Sequence, residues 1–247
     1  MARRGGSEGR APVTATRLDP DARRWIEDQS RVDGLTAGRV EAFSDAVLAI
    51  AITLLVLQLH AASGAESLAH RLGEQWPLYV SYLLSFLNIG IVWLNHHAIF
   101  SRLRGVDHVL VLLNLLLLLI VSVLPFPTEV LGDALRDGDF ADQRTAALLY
   151  AGNFLFASMA FCALWLWASH DRRLIRDEMC DEAIRLRTWR MSIAIPAFSI
   201  PVVVAIWSPI TAIAIDGAIM ISFLLSDTWL ERRVVALNGA LSRRPGR

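Results

Sequence analysis

Six stretches of the sequence are almost purely apolar over 17 to 24 residues, near 40–59, 78–100, 108–126, 145–168, 191–207 and 209–226. A helix of roughly 20 apolar residues crosses a hydrocarbon core about 30 Å thick, and within lipid every backbone N–H and C=O must be satisfied inside its own segment. These windows therefore predict an all-α membrane protein with six transmembrane helices. The composition agrees, with 54% hydrophobic residues and a mean hydropathy of +0.43. The last two spans are short and read as a hairpin turning at Trp207-Ser208-Pro209, because proline excludes its predecessor from the helix.

Sidedness follows from arginine. The chain has no lysine, and its 24 arginines are unevenly placed: eight in 1–39, two in 101–107, six in 169–190 and five in 227–247. Only Arg71, Arg136 and Arg144 fall in the alternate connections. The positive-inside rule then puts both termini in the cytoplasm of a protein spanning the plasma membrane. The division expected is a disordered arginine-rich tail at 1–38, a six-helix membrane domain at 39–226 and a cytoplasmic tail at 227–247. The connection 127–144 reads as an acidic outer loop, with Glu129, Asp133, Asp137, Asp139 and Asp142 against two arginines. Cys162 lies inside the fourth span and Cys180 in a charged connection, so the two are expected to stay unpaired.

The first span is the most informative segment. Arg39, Glu41 and Asp45 stand at its cytoplasmic end, where burial of charge requires partners or water, and Ser44 and Asp45 lie about one turn from Glu41. Arg39 can reach a carboxylate on a neighbouring helix or extend to the membrane interface. Deeper in, Ile50, Leu54 and Leu57 fall at i, i+4 and i+7 on one stripe, with Thr53 on its flank. Every face of this helix is apolar, so periodicity does not choose which face packs and which faces elsewhere. Gln58 is expected at the outer mouth.

Two adjacent histidines close the second span. His96 and His97 project about 100° apart on a helix, so one metal ion cannot take both from a single face. No metal, haem or other cofactor is expected, nor an enzymatic activity, since no histidine lies at matching depth in a neighbouring span. Asp216 is an isolated acid inside the sixth span, by default a functional candidate, with a helix break capped at Gly217 or an arginine partner as the alternatives, and its role is left open.

The run Arg39-Val-Glu-Ala-Phe43-Ser44-Asp45, followed by Ala49-Ile50-Ala51-Ile52-Thr53, resembles the opening of the first helix in the transmembrane protein 175 family of potassium channels. Trp93-Leu-Asn-His96-His97 and Asn114 are similar to that family's pattern in the second and third helices. The resemblance covers about residues 36–230. It implies a homotetramer whose first helices line a central pore, with Ile50, Leu54 and Leu57 as apolar constricting rings and Thr53 beside them. It also implies a structural or gating polar network of Arg39, Phe43, Ser44, Asp45, His96, His97 and Asn114.

No Thr-Val-Gly-Tyr-Gly run occurs, so a filter of backbone carbonyls is not expected. Selectivity would come from apolar rings that make an ion shed water, a demand that potassium meets more easily than sodium. The expected function is a potassium-selective cation channel, with potassium as the permeant ion, copies of itself and the lipid bilayer as partners, and no nucleic acid. The alternative is a proton-permeable channel or a proton-coupled secondary transporter using Asp45 and Asp216.

Overall fold

Helix starts follow the capping residues. In a computed structural model that describes residues 35–59, 67–223 and 225, α1 (Ala37–Leu54) opens at Thr36, whose side chain accepts from the Arg39 amide, and tightens into a 3₁₀ turn at Leu55–Gln58. A short α2 (Leu68–Glu74), capped by Ser67, leads into α3 (Trp76–Phe100), which carries Pro77 in its first turn. Asp107 caps α4 (His108–Ser122), its carboxylate accepting from the Leu110 amide at 2.8 Å. Then come α5 (Pro125–Asp137), α6 (Phe140–Ser169), α7 (Asp181–Val204) and α8 (Pro209–Phe223).

The architecture is all-helical, and four helical stretches are long and apolar enough to cross a membrane: 37–58, 76–100, 108–137 and 140–172. The apolar helix at 209–223 is shorter. The hairpin turn expected before Pro209 is present, with α8 beginning at that proline. Both cysteines are free thiols, as expected. The tails, 1–34 and 226–247, lie outside the described residues.

One expectation is corrected. Residues 127–144 are not a loop: Pro125 occupies the first turn of α5, α5 runs to Asp137, and Asp139 caps α6 by accepting from the Ala141 and Asp142 amides. The acidic residues misled because a short charged stretch reads as solvated. Here a buried strip of Pro127, Thr128, Leu131 and Gly132 lies beneath the acids and packs on α3. The approach is close at Gly132, where an added Cβ would stand 2.6 Å from Leu78 Cδ1 and 3.2 Å from Leu78 Cα.

The core lies between α1 and α3 to α7, with α6 packed most extensively on α7 and α1 leaning on α3 and α4. Trp165, Tyr150 and Phe100 are its largest fully buried side chains. Two buried arginines of α7 close helix ends: Arg187 donates to the Ala98 carbonyl at 2.7 Å near the end of α3, and Arg190 to the Phe223 carbonyl at 2.8 Å at the end of α8. A cation at a helix C-terminus meets both the orphan carbonyls and the negative end of the dipole. Arg187 also lies over the Trp165 ring, 5.6 Å from its centroid.

At the same end the arginine-rich connections are stitched together. Leu103 and Ile175 form an isolated antiparallel bridge, with Arg104 N–H donating to Leu174 O at 2.8 Å and Arg176 N–H to Arg102 O at 3.0 Å. Asp107, buried, pairs with Arg173 and accepts from the Trp167 indole at 3.1 Å. Residues 101–107 and 173–176 are therefore held on one side of the bundle.

Candidate functional site

α1 has two faces. Val40, Ser44, Leu48, Ala51, Leu55 and Gln58 are buried against the rest of the chain, following the three- and four-residue steps of a helix stripe. The opposite stripe is uncovered by the chain and carries Phe43, Ile50, Thr53, Leu54 and Leu57, with Ile50 58% and Leu57 74% exposed. The four residues expected to constrict a pore thus share the face that the other described helices leave exposed. The Thr53 hydroxyl donates to the Ile50 carbonyl at 2.9 Å, leaving its lone pairs on the exposed side.

Gln58 departs from expectation. It is buried, and its amide donates to the Pro125 carbonyl at the start of α5 rather than facing outward. The 3₁₀ turn rotates the end of α1 so that position 58 continues the buried stripe, and a buried amide must find a partner.

The polar end of α1 meets α3 and α4 in three separate contacts. Asn114 bridges two helices, its Nδ2 donating to Ser44 Oγ at 2.9 Å and its Oδ1 lying 2.8 Å from His96 Nε2. Because an amide oxygen only accepts, His96 carries its proton on Nε2. Ser44 passes its own proton to the Val40 carbonyl at 2.9 Å, so the chain of donors is fully ordered. His96 is buried and stacked on Phe100, with ring centroids 4.2 Å apart.

His97 turns the other way, as adjacent helical positions must, and its Nδ1 lies 2.7 Å from Glu41 Oε1. Asp45 accepts from the Trp93 indole at 2.9 Å. Arg39 is exposed, and its guanidinium has no partner among the described residues; Phe43 is exposed as well. Of the residues expected in the network, the structure joins Ser44, His96 and Asn114, pairs Asp45 of α1 with Trp93 of α3 and His97 of α3 with Glu41 of α1 beside them, and leaves Arg39 and Phe43 outside it. Glu41 and Trp93 complete the set.

A second polar cluster was not anticipated. Ser85 Oγ lies 2.7 Å from Thr128 Oγ1 and 3.2 Å from Tyr150 Oη, and Asn88 Nδ2 donates to Tyr150 Oη at 3.2 Å, all buried. The available signal was the placement of polar residues inside otherwise apolar windows, with Ser85 and Asn88 one turn apart. Asp216, in α8, is buried within an unbroken helix, with no arginine among the described residues at its carboxylate. Its two oxygens have no hydrogen-bond partner among the described residues.

The helix α1 with its polar head, α3 and α4 coincides with a sequence profile described as endosomal/lysosomal potassium channel TMEM175, which matches residues 39–125. A potassium channel of Streptomyces collinus is 39% identical over 202 residues, covering 81% of this chain and 97% of that protein. A potassium channel of Chamaesiphon minutus is 43% identical over 142 residues, 56% of this chain and 68% of that one. The fold is similar to the crystal structure of a lysosomal potassium-selective channel TMEM175 homologue from Chamaesiphon minutus, with a TM-score of 0.69 and 34% identity over 77% of this chain and 97% of the other. On the full-length relationship to the Streptomyces protein and the shared architecture, this chain belongs to the TMEM175 family.

Proposed function

We propose that the protein is a potassium-selective channel of the plasma membrane, formed by four copies of the chain with α1 of each at a common axis. In this reading α7 and α8 complete six membrane crossings, and both termini are cytoplasmic. The observation that carries it is the exposed stripe of α1, where Ile50, Leu54 and Leu57 form an apolar face that the described residues leave largely uncovered. The potassium-channel relatives and the potassium-selective structural neighbour support the choice of ion. The joining of the 101–107 and 173–176 connections supports the sidedness, since both fall on the arginine-rich side.

Rings of Ile50, Leu54 and Leu57 on the axis make a narrow apolar neck. Such a neck excludes water when tight and so closes without a moving plug. An ion crossing it gives up part of its hydration, and potassium, which holds water less strongly than sodium, is penalised less. Thr53 offers hydroxyl oxygens beside the ring. The Ser44–Asn114–His96 chain and the Asp45–Trp93 bond fix α1 against α3 and α4, so that the neck keeps its diameter. The permeant ion is the only small species this mechanism requires.

Bilayer recording of the reconstituted protein under bi-ionic potassium and sodium tests it. Discrete single-channel steps favouring potassium are expected, and Ile50→Asn lowers the potassium-to-sodium permeability ratio by widening and wetting the ring. Unchanged ratios in that variant would remove Ile50 from the constriction, and saturable exchange without unitary currents would replace the channel with a carrier.

A further inference from the structure

Asp216 stands at the middle of α8, 1% exposed, with both carboxylate oxygens unpartnered among the described residues. Its surroundings can be named helix by helix. An added Cβ on neighbouring Gly217 would lie 3.7 Å from Leu84 Cδ2, which sets this part of α8 against the Ser85 level of α3. Tyr150, on α6, is within electrostatic range of Asp216. Arg187 and Arg190 of α7 are committed to the carbonyls of Ala98 and Phe223, the latter about 10 Å along α8 from Asp216 at 1.5 Å per residue. No described cation or hydrogen-bond donor reaches either carboxylate oxygen.

The neighbouring hydroxyl row is oriented. Thr128 gives its only proton to the Leu124 carbonyl at 2.8 Å, so it accepts from Ser85; Ser85, its proton spent, accepts from Tyr150; and Tyr150 accepts from Asn88. Every hydroxyl proton in the row points from Tyr150 towards α5, and none remains for a carboxylate on α8. An ionised Asp216 would then sit in an apolar interior with neither counter-charge nor donor, a state whose cost is normally avoided by taking up a proton.

We infer that Asp216, backed by the Tyr150–Ser85–Thr128 row, is a proton-binding site inside each subunit. One aqueous proton adds to a carboxylate oxygen, forming an O–H bond and a neutral side chain, with no leaving group. None of these residues lies on α1, so the site is separate from the stripe assigned to conduction and does not depend on that assignment.

Infrared spectra of the full chain in lipid vesicles at neutral pH test the site, because exposed carboxylates are then ionised and only a buried neutral carboxyl retains its C=O stretch. Wild type is expected to show that band, shifted in D₂O, and Asp216→Asn to lose it entirely while eluting as wild type on gel filtration. A band that survives in Asp216→Asn, or no such band in wild type, overturns the proposal. Should Asp216→Asn fail to fold, Tyr150→Phe decides: displacement of the band by the altered neighbour supports the site, and an unmoved band overturns it.

Discussion

Asn114 on α4 donates through Nδ2 to Ser44 Oγ on α1 at 2.9 Å, a bond between residues 70 positions apart in the chain. Its Oδ1 simultaneously accepts from His96 on α3, so one buried amide ties three helices. Replacing it with alanine leaves the buried His96 N–H unsatisfied, at about 1–3 kcal/mol, and also removes the donor to Ser44 Oγ, whose hydroxyl keeps its bond to the Val40 carbonyl. Asn114→Ala should therefore lower the thermal stability of the purified protein more than Ser44→Ala, which leaves the bond to His96 in place. Equal melting shifts for the two variants would show that the amide is not a shared bridge.

The contact between α5 and α3 has no room at Gly132. Gly132→Ala sets a methyl 2.6 Å from Leu78 Cδ1 and 3.2 Å from the Leu78 backbone, and the backbone atom cannot rotate away. Overpacking of this kind costs about 1–3 kcal/mol. The variant should melt earlier, and shortening the opposing side chain in Gly132→Ala with Leu78→Ala should recover part of the loss. Additive destabilisation in the double variant would contradict a steric cause.

Asp107 serves α4 as its cap, the Trp167 indole as acceptor and Arg173 as counter-ion. Asp107→Ala removes all three, for about 2–3 kcal/mol from the cap and the stranded indole together. Asp107→Asn keeps an acceptor for the cap, so its loss should be smaller. Limited proteolysis should report the difference, with cleavage between 101 and 107 faster in the alanine variant.

On α1, Leu57→Cys in a Cys180→Ser background should react with a membrane-impermeant cationic thiol reagent and lose potassium flux in proteoliposomes as labelling proceeds. The side chain is 74% exposed on the face assigned to the pore, and an added charge there blocks an apolar neck. Full flux from fully labelled protein, measured by mass, would take position 57 off the conduction path.

Some of this was legible before any tertiary structure. Four of the six apolar windows fall in helical stretches of membrane length, and proline at 209 begins the shorter α8. The divergence of His96 from His97 followed from helix geometry alone, and the structure sends one to Asn114 and the other to Glu41. The acidic stretch 127–144 misread because its charges lie on the exposed and half-exposed faces of helices whose buried strip is short, Pro127, Thr128, Leu131, Gly132 and Ala134 on α5.

What sequence alone determined is the all-helical class, the four stretches of membrane length and the polar residues at their ends, because these depend on length, composition and local backbone geometry. Which face of α1 packs was decided only by tertiary structure. Lipid is as apolar as leucine, so a membrane helix gains nothing from segregating its apolar residues, and the periodic signal that orients a helix in water is absent. The choice falls instead to contacts between distant positions: Ser44 with Asn114, Gln58 with Pro125, and Leu48, Ala51 and Leu55 buried along the same stripe, which turn Ile50 and Leu57 outward.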